Sequence, residues 1–164
     1  MRLWSRRTAV LAILIALVAG AAYGTLALTD DGPETFLVTR VIDGDTIKLE
    51  NGETVRYLLI DTPETTEEPV DCYGREATER NRELVEGERV RLERDATDRD
   101  AYGRLLRYVY VDGTMVQAQL VREGYGYVYS RQPDVKYLKE LAVLEREARE
   151  QGLGLWGACG GQVP

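Results

Sequence analysis

The chain has 164 residues, long enough for one hydrophobic core and short for two, so a single folded domain is predicted. Hydrophobic residues make up 44% and charged residues 30% of the chain, which excludes an intrinsically disordered protein. The formal net charge of −7 argues against a protein that holds polyanions through a generally basic surface. Any anionic ligand must therefore be bound by a local cluster of basic residues.

The first 28 residues have the features of an export segment. Arg2, Arg6 and Arg7 precede a run at 8–29 that contains no charged residue. The pattern is typical of a signal peptide, and it fits a retained transmembrane anchor equally well, because about 20 apolar residues cross a bilayer. Either interpretation predicts an extracytoplasmic protein, secreted or anchored to the outer face of the cell membrane. The rest of the chain divides into a polar linker at 29–35, a folded domain at 36–158 and a short tail at 159–164.

Short strands dominate the first half of the predicted domain. Asn51-Gly52 lies between two β-rich runs and predicts a hairpin with a type I′ turn. Asp43-Gly44 and Asp112-Gly113 are further turn signals. Five segments have strand character, namely 36–41, 46–50, 54–60, 89–94 and 105–111.

Helical segments separate and follow these strands. Each of them ends at or near a glycine, and Asp134 is expected to cap the last one. The predicted helices are 72–86, 115–123 and 135–150. Five strands with about three helices predict an α+β protein that is mainly β, built on a five-stranded barrel of the OB kind.

The chain contains two cysteines, Cys72 and Cys159, both in the part that is expected to be exported. An even count in an oxidising compartment favours a disulfide between them. Two separate buried thiols and a metal site remain as alternatives, although two sulfurs without histidine do not complete a zinc shell.

Four motifs in order along the chain resemble the staphylococcal nuclease (thermonuclease) family. The resemblance extends from about Phe36 to Trp156. The motifs are IDGDTIKL at 42–49, RYLLIDTPE at 56–64, DRDAYGR at 98–104 and LGLW at 153–156. The resemblance implies a metal-dependent phosphodiesterase that cleaves DNA and RNA with little sequence specificity and leaves 3′-phosphates.

The resemblance also implies a bound Ca²⁺ ion. Asp45 and Asp61 match its carboxylate ligands, the carbonyl of Thr62 matches a third ligand, and Asp43 matches a supporting position. The residues themselves fit this interpretation, because antiparallel pairing of their two segments returns both carboxylates to one end of the barrel. Carboxylate and carbonyl oxygens with water suit Ca²⁺.

Three further residues match the family's catalytic set. Arg56 and Arg104 match arginines that clamp the phosphate and stabilise the transition state, and Glu64 matches the carboxylate that orients or deprotonates the attacking water. Arg56 and Asp61 lie five residues apart, so strict strand alternation would place them on opposite faces. A bulge or a sharp bend between them is therefore required.

Three tyrosines match or resemble positions that contact the nucleotide in the family. They are Tyr102, Tyr127 and Tyr129. Ala101 stands where the best-known members have a lysine, which puts in doubt the strength of terminal phosphate binding. A monomer is expected. Two alternatives to a nuclease are a catalytically inactive OB-fold module that binds single-stranded nucleic acid and an envelope protein whose barrel makes only structural contacts.

Overall fold

The computed structural model describes residues 34–65 and 69–160. These residues form eight strands and four helices. The strands are β1 (Thr35–Val41), β2 (Thr46–Leu49), β3 (Thr54–Tyr57), β4 (Ile60–Asp61), β5 (Arg89–Glu93), β6 (Leu105–Val111), β7 (Thr114–Met115) and β8 (Tyr127–Val128). The helices are α1 (Gly74–Val85), α2 (Val116–Arg122), α3 (Leu138–Glu150) and α4 (Leu155–Ala158).

The main sheet closes into a five-stranded barrel. Its strands follow the order β3-β2-β1-β5-β6, and β3 also pairs with β6 in parallel, which joins the two ends. The alternating apolar side chains of these strands fill the interior, because successive residues of a strand point to opposite faces. Fully buried members of this core include Ile47, Val55, Tyr57, Tyr108 and Val109. The predicted α+β fold with an OB-type barrel is confirmed.

The turn between β2 and β3 differs from the prediction. Gly52 has a positive φ of 85°, whereas Asn51 lies outside the positive-φ region, so the turn is not type I′. The side chain of Asn51 instead accepts a hydrogen bond from the amide of Glu53 at 3.0 Å, which favours an ordinary φ. The turn with two consecutive positive φ values, 48° and 81°, lies at Asp112-Gly113 between β6 and β7.

The strand predicted at 54–60 is interrupted by a bend. β3 ends at Tyr57, Leu59 has a φ of 64°, and the chain resumes as β4, which pairs with β8. A left-handed leucine is unfavourable, but Leu58 and Leu59 are both buried in the core, and this burial offsets the cost. The bend that the spacing of Arg56 and Asp61 requires is therefore present.

The last long helix begins later than predicted. α3 starts at Leu138, and Asp134 does not cap it. The carboxylate of Asp134 is buried and accepts a hydrogen bond from the amide of Thr97 at 2.8 Å, so it fixes a loop instead. The apolar face of α3 nevertheless faces the core, with Leu141 and Ala148 buried. α4, which follows Gly154, was not predicted.

Cys72 and Cys159 form a disulfide across 87 residues of sequence, which confirms the predicted bond. The bond ties the segment before α1 to the segment after α4. The export segment predicted at 1–28 lies outside the described residues, as do 29–33 of the linker and 161–164 of the tail. None of the described helices combines the length and the hydropathy that a bilayer crossing requires.

Candidate active site

A tight turn before β2 places a buried carboxylate against Thr62. Asp45 is only 4% exposed, and its amide donates to Oδ1 of Asp43 at 3.0 Å. Oδ1 of Asp45 accepts from the hydroxyl of Thr46 at 3.0 Å, and Oδ2 accepts from the amide and the hydroxyl of Thr62 at 3.1 and 3.3 Å. A Cβ on Gly44 would lie 2.5 Å from the Thr62 hydroxyl, so this close approach requires glycine.

Arg56 joins the two carboxylates that the sequence predicts as metal ligands. Its Nη1 lies 3.0 Å from Oδ2 of Asp45, and its Nη2 lies 2.5 Å from Oδ1 of Asp61. Nη1 also donates to the carbonyls of Tyr57 and Ile60 at 2.9 and 2.8 Å. The bend after β3 thus wraps main-chain carbonyls around the guanidinium and brings Asp61 to the same group as Asp45.

The electrostatics of this cluster favour an additional positive charge. Burial raises the pKa of Asp45 well above its usual range, Arg56 opposes this shift, and the nearby carboxylates of Asp43 and Asp61 add to it. One guanidinium therefore does not fully compensate the buried negative charge. A further cation at these carboxylates would stabilise the ionised cluster.

Tyr127 lies behind Asp61. The two residues are paired between β4 and β8, and the tyrosine hydroxyl donates to Oδ2 of Asp61 at 3.1 Å. Burial raises the pKa of Tyr127 strongly, and the negative charge of Asp61 raises it further. The hydroxyl consequently remains protonated and acts as a donor to the carboxylate.

Arg104 is positioned by Asp100 in the loop before β6. Its Nε donates to Oδ2 of Asp100 at 2.7 Å, and its amide donates to Oδ1 at 3.0 Å. The amide of Tyr102 donates to the same Oδ1 at 2.9 Å, and Gly103 takes a positive φ of 82°. Burial raises the pKa of Asp100, but the hydrogen bonds from Arg104 outweigh it and lower the pKa below the usual value. The carboxylate is thus an ionised anchor for the arginine.

A cleft of about 400 Å³ opens between this loop and the bend after β3. Arg56 and Arg104 both line it, together with Tyr102 and Tyr129. Tyr102 is 87% exposed, and the guanidinium carbon of Arg104 lies 5.5 Å from the centroid of its ring. The arrangement presents the guanidinium groups of Arg56 and Arg104 and the two aromatic rings to one concave surface, which suits a phosphate ester with a flat ring attached.

Glu64 follows the predicted metal ligands Asp61 and Thr62 on an exposed stretch of chain. Its amide donates to Oδ2 of Asp71 at 2.9 Å, and its carbonyl accepts from the amide of Asp71 at 3.0 Å. Cys72, the next residue along, is fixed by the disulfide. The backbone of Glu64 is therefore tied to the far end of its own loop.

Comparison with known proteins identifies the family. The family model described as staphylococcal nuclease homologue matches residues 54–158. The chain is 50% identical over 129 residues to Endonuclease YncB of Bacillus subtilis (strain 168), covering 74% of this chain and 61% of that protein. It is 38% identical over 133 residues to a thermonuclease of Staphylococcus intermedius, covering 78% of this chain and 79% of that protein. The chain belongs to the staphylococcal nuclease family.

The two Bacillus subtilis relatives are longer than this chain. The SPbeta prophage-derived endonuclease YokF of Bacillus subtilis (strain 168) is 49% identical over 129 residues, covering 74% of this chain but only 43% of that protein. The chain thus matches about two fifths to three fifths of the length of the two Bacillus subtilis relatives.

The predicted site residues of this family member fall into three groups. Asp45, Arg56, Asp61 and Thr62 meet in one cluster with Asp43 at its edge. Arg104, Tyr102 and Tyr129 line the adjoining cleft with Arg56. Glu64 and Tyr127 do not line the cleft. Their predicted roles, like those of the other site residues, stay predictions.

Two residues that position the site were missed from the sequence. Asn81 of α1 is fully buried, donates to the carbonyl of Asp43 at 3.0 Å and accepts from the hydroxyl of Tyr57 at 2.9 Å. The sequence pattern could have indicated that Asn81 is buried, because it lies four residues from both Ala77 and Val85 on the apolar face of the helix. Asp100 is the second missed residue. Its position four residues before Arg104 could have indicated an ion pair between the two.

The donor set fits a divalent cation that prefers oxygen ligands. Asp45 and Asp61 each hold an oxygen against the same guanidinium, and no group of three or more histidine, cysteine or acidic side chains suited to a metal exists among residues 34–65 and 69–160. A cation held by two carboxylates must complete its shell with carbonyls and water, as Ca²⁺ and Mg²⁺ do. Soft thiolate or imidazole sites are ruled out here, because this cluster contains only oxygen donors and guanidinium.

Proposed function

We propose that this protein is a metal-dependent endonuclease that hydrolyses phosphodiester bonds in DNA, RNA or both with little sequence specificity and leaves 3′-phosphates. The observation that carries the proposal is the position of Arg56 and Arg104 on one cleft, with Arg56 bound to both Asp45 and Asp61. The names of the relatives, two endonucleases and a thermonuclease, support it.

The two arginines bind the phosphate in this proposal. Hydrolysis builds negative charge on the phosphoryl oxygens, and preorganised guanidinium donors stabilise that charge. Asp100 holds Nε of Arg104. The two terminal nitrogens of Arg104 have no hydrogen-bond partner among the described residues, so they can bind the phosphate. Carbonyls of the bend hold Arg56 in place before the substrate arrives, which limits the entropy lost on binding.

A divalent cation, proposed to be Ca²⁺, would be held by Asp45, Asp61 and the carbonyl of Thr62 and would supply positive charge beside the phosphate. Glu64 orients the attacking water and takes its proton as the new phosphorus–oxygen bond forms and the bond to the 5′ oxygen breaks, and the departing 5′ oxygen takes a proton from solvent water. Tyr102 and Tyr129 support the sugar and base by ring contact. Because no base-reading group is required, cleavage is expected at any sequence.

A plasmid-nicking assay tests the function. The protein should convert supercoiled DNA to nicked and linear forms with Ca²⁺ and lose this activity with a chelator. Product ends should resist extension by a polymerase until a phosphatase removes the 3′-phosphate. The Arg104→Lys variant, which keeps the charge but loses the planar fork, serves as the matched control for contaminating nucleases. Binding of single strands by a folded protein that never cleaves them would favour the inactive OB-fold module instead.

We also propose that residues 1–28 direct export, as a signal peptide or as a membrane anchor. The disulfide between Cys72 and Cys159 supports this proposal, because such bonds persist mainly in oxidising compartments. Fractionation of cells that produce the full chain separates the two forms. A shortened protein in the medium indicates cleavage, a full-length protein in the membrane indicates an anchor, and a full-length protein in the cytoplasm contradicts export.

A further inference from the structure

The charges that line the cleft are not equally compensated. Four arginines line it, namely Arg56, Arg99, Arg104 and Arg131. Three of them lie within 3.0 Å of a carboxylate oxygen, the pairs being Arg56 with Asp45, Arg99 with Glu53 and Arg104 with Asp100. Arg131 has no such partner within 4.0 Å among residues 34–65 and 69–160. Its positive charge is therefore not neutralised by an ion pair with any of these residues.

Arg131 is held in place although its guanidinium is exposed. Its Nε donates to the hydroxyl of Tyr129 at 3.1 Å, and its guanidinium carbon lies 5.7 Å from the centroid of that ring. The backbone is fixed as well, because the carbonyl of Arg131 accepts from the amide of Asp134, whose buried carboxylate is bound to the loop at Thr97. A fixed arginine loses less conformational entropy when it binds an anion.

Such a group matters most on an acidic protein. The net charge of −7 repels a polyanion at long range, so binding depends on local positive potential in the cleft. The other three arginines form ion pairs with carboxylates, whereas Arg131 forms none with the described residues. Its terminal nitrogens have the geometry that binds two oxygens of one phosphate.

We propose that Arg131 binds a backbone phosphate of the substrate strand other than the one that is cleaved, with Tyr129 orienting the guanidinium. The proposal rests on the nuclease function above. It adds a residue that lies outside the four family motifs at 42–49, 56–64, 98–104 and 153–156. The contacted phosphate does not react, so the interaction is equally strong in the ground state and in the transition state. Its loss should raise KM and leave kcat unchanged.

The test compares Arg131→Gln with Arg122→Gln, on a dinucleotide that has a single internucleotide phosphate and on a longer single-stranded oligonucleotide. Arg122 is an exposed arginine outside the cleft, so its variant is a matched control for the loss of one charge. Arg131→Gln should raise KM for the oligonucleotide about tenfold with kcat unchanged, because a charge-assisted contact is lost. KM for the dinucleotide should stay near that of the unmodified protein, and Arg131→Lys should restore part of the loss.

A binding measurement distinguishes failure of this inference from failure of the nuclease function. With a non-hydrolysable phosphorothioate oligonucleotide, Arg131→Gln should lower the slope of log K against log salt by about 0.7, the value for one phosphate contact on a single strand. This readout applies even if the protein does not cleave. An equal KM increase on both substrates, or a slope and KM that match those of Arg122→Gln, would overturn the role of Arg131.

Discussion

The hydroxyl of Tyr127 donates a hydrogen bond to Oδ2 of Asp61 at 3.1 Å. This contact places a residue that resembles a nucleotide-binding tyrosine behind a proposed metal ligand, away from the cleft lining. A donor of this kind orients a carboxylate that binds a metal. Whether Tyr127 contacts the nucleic acid or orients Asp61 can therefore be measured.

Tyr127→Phe should weaken metal binding more than nucleic-acid binding. Removal of the hydroxyl leaves Asp61 less well oriented, and we expect the half-saturating Ca²⁺ concentration to rise about tenfold. KM for nucleic acid at saturating Ca²⁺ should change little. Tyr129→Phe is the control, because Tyr129 lines the cleft and its hydroxyl holds Arg131, so loss of that hydroxyl should affect the nucleic acid and not the metal. A Tyr127→Phe variant with normal Ca²⁺ dependence and a raised KM would instead place Tyr127 in the substrate site.

Asp45→Asn should abolish Ca²⁺ binding that calorimetry detects at this site. Asp45 is the most enclosed carboxylate of the cluster, and its Oδ2 lies 3.0 Å from the same guanidinium that contacts Asp61. Asp43→Asn is the comparison, because Asp43 acts through the amide of Asp45 and its amide oxygen can still accept that bond. We expect this second variant to bind Ca²⁺ with an affinity reduced by about tenfold or less. Equal losses in both variants would remove the distinction between ligand and supporting residue.

Arg104→Lys should lower kcat by roughly a hundredfold or more, because lysine keeps the charge but cannot present the two-pronged donor to the transition state. The thermal midpoint should change little, since the side chain is partly exposed and Asp100 can pair with the ammonium group. Thermal unfolding by circular dichroism checks the fold beside the rate measurement. Near-normal cleavage by this folded variant would exclude Arg104 from the reaction.

The parts of this structure that were predictable from the sequence are those that depend on neighbouring residues. Alternation within each strand indicates the barrel, and the five-residue spacing of Arg56 and Asp61 requires the bend that contains Leu59. The antiparallel pairing of β2 with β3 brings Asp45 beside Arg56, and the bend then returns Asp61 to the same arginine. These features follow from covalent geometry and from the period of a strand.

The parts that were not predictable depend on partners distant in sequence. Asp134 binds the amide of Thr97, 37 residues away, and so does not cap α3. Tyr127 turns to Asp61, 66 residues away, and Asn81 reaches the carbonyl of Asp43. A polar side chain satisfies whichever group the fold brings near, and local pattern carries no information about that choice.

The ion pair between Glu53 and Arg99 predicts a pH dependence of stability. Hydrogen bonds from Arg99 lower the pKa of Glu53, and the same arginine donates to the carbonyl of Gly103 in the loop of Arg104. A carboxylate with a lowered folded-state pKa stabilises the fold above its unfolded pKa, about 4.3 for glutamate. That stabilisation is lost as the pH falls through the folded-state pKa.

Glu53→Gln should therefore have a lower thermal midpoint than the unmodified protein at neutral pH, and the difference should shrink as the pH falls below about 4.3. Glu147→Gln removes an exposed carboxylate of α3 that has no ion pair within 4.0 Å among the described residues, and it serves as the control. Thermal unfolding over a pH series measures both. A constant difference between Glu53→Gln and the unmodified protein at all pH values would contradict the linkage.

The disulfide between Cys72 and Cys159 should contribute to both stability and activity. It closes a loop of 87 residues, and in the chain-entropy picture such a loop stabilises by about 4 to 5 kcal/mol. Its loss also frees Cys72, and with it Asp71, which holds the backbone of Glu64 through two hydrogen bonds. The thermal midpoint should fall clearly, and kcat should fall only partly, because the two arginines and the proposed metal ligands lie outside the segment at 64–72.

Two measurements test this prediction. Thiol counting on the unfolded, unreduced protein should find no free thiol, whereas two reactive thiols would disprove the bond. Cys72→Ser/Cys159→Ser should then reproduce the lower stability of the reduced protein and should not respond to reductant, which separates loss of the bond from other effects of the reagent. The apolar cluster of Leu155 and Trp156, against which Cys159 packs, remains in this variant, so α4 should stay docked. If the double variant instead retained full stability, that cluster alone would hold the end of the chain.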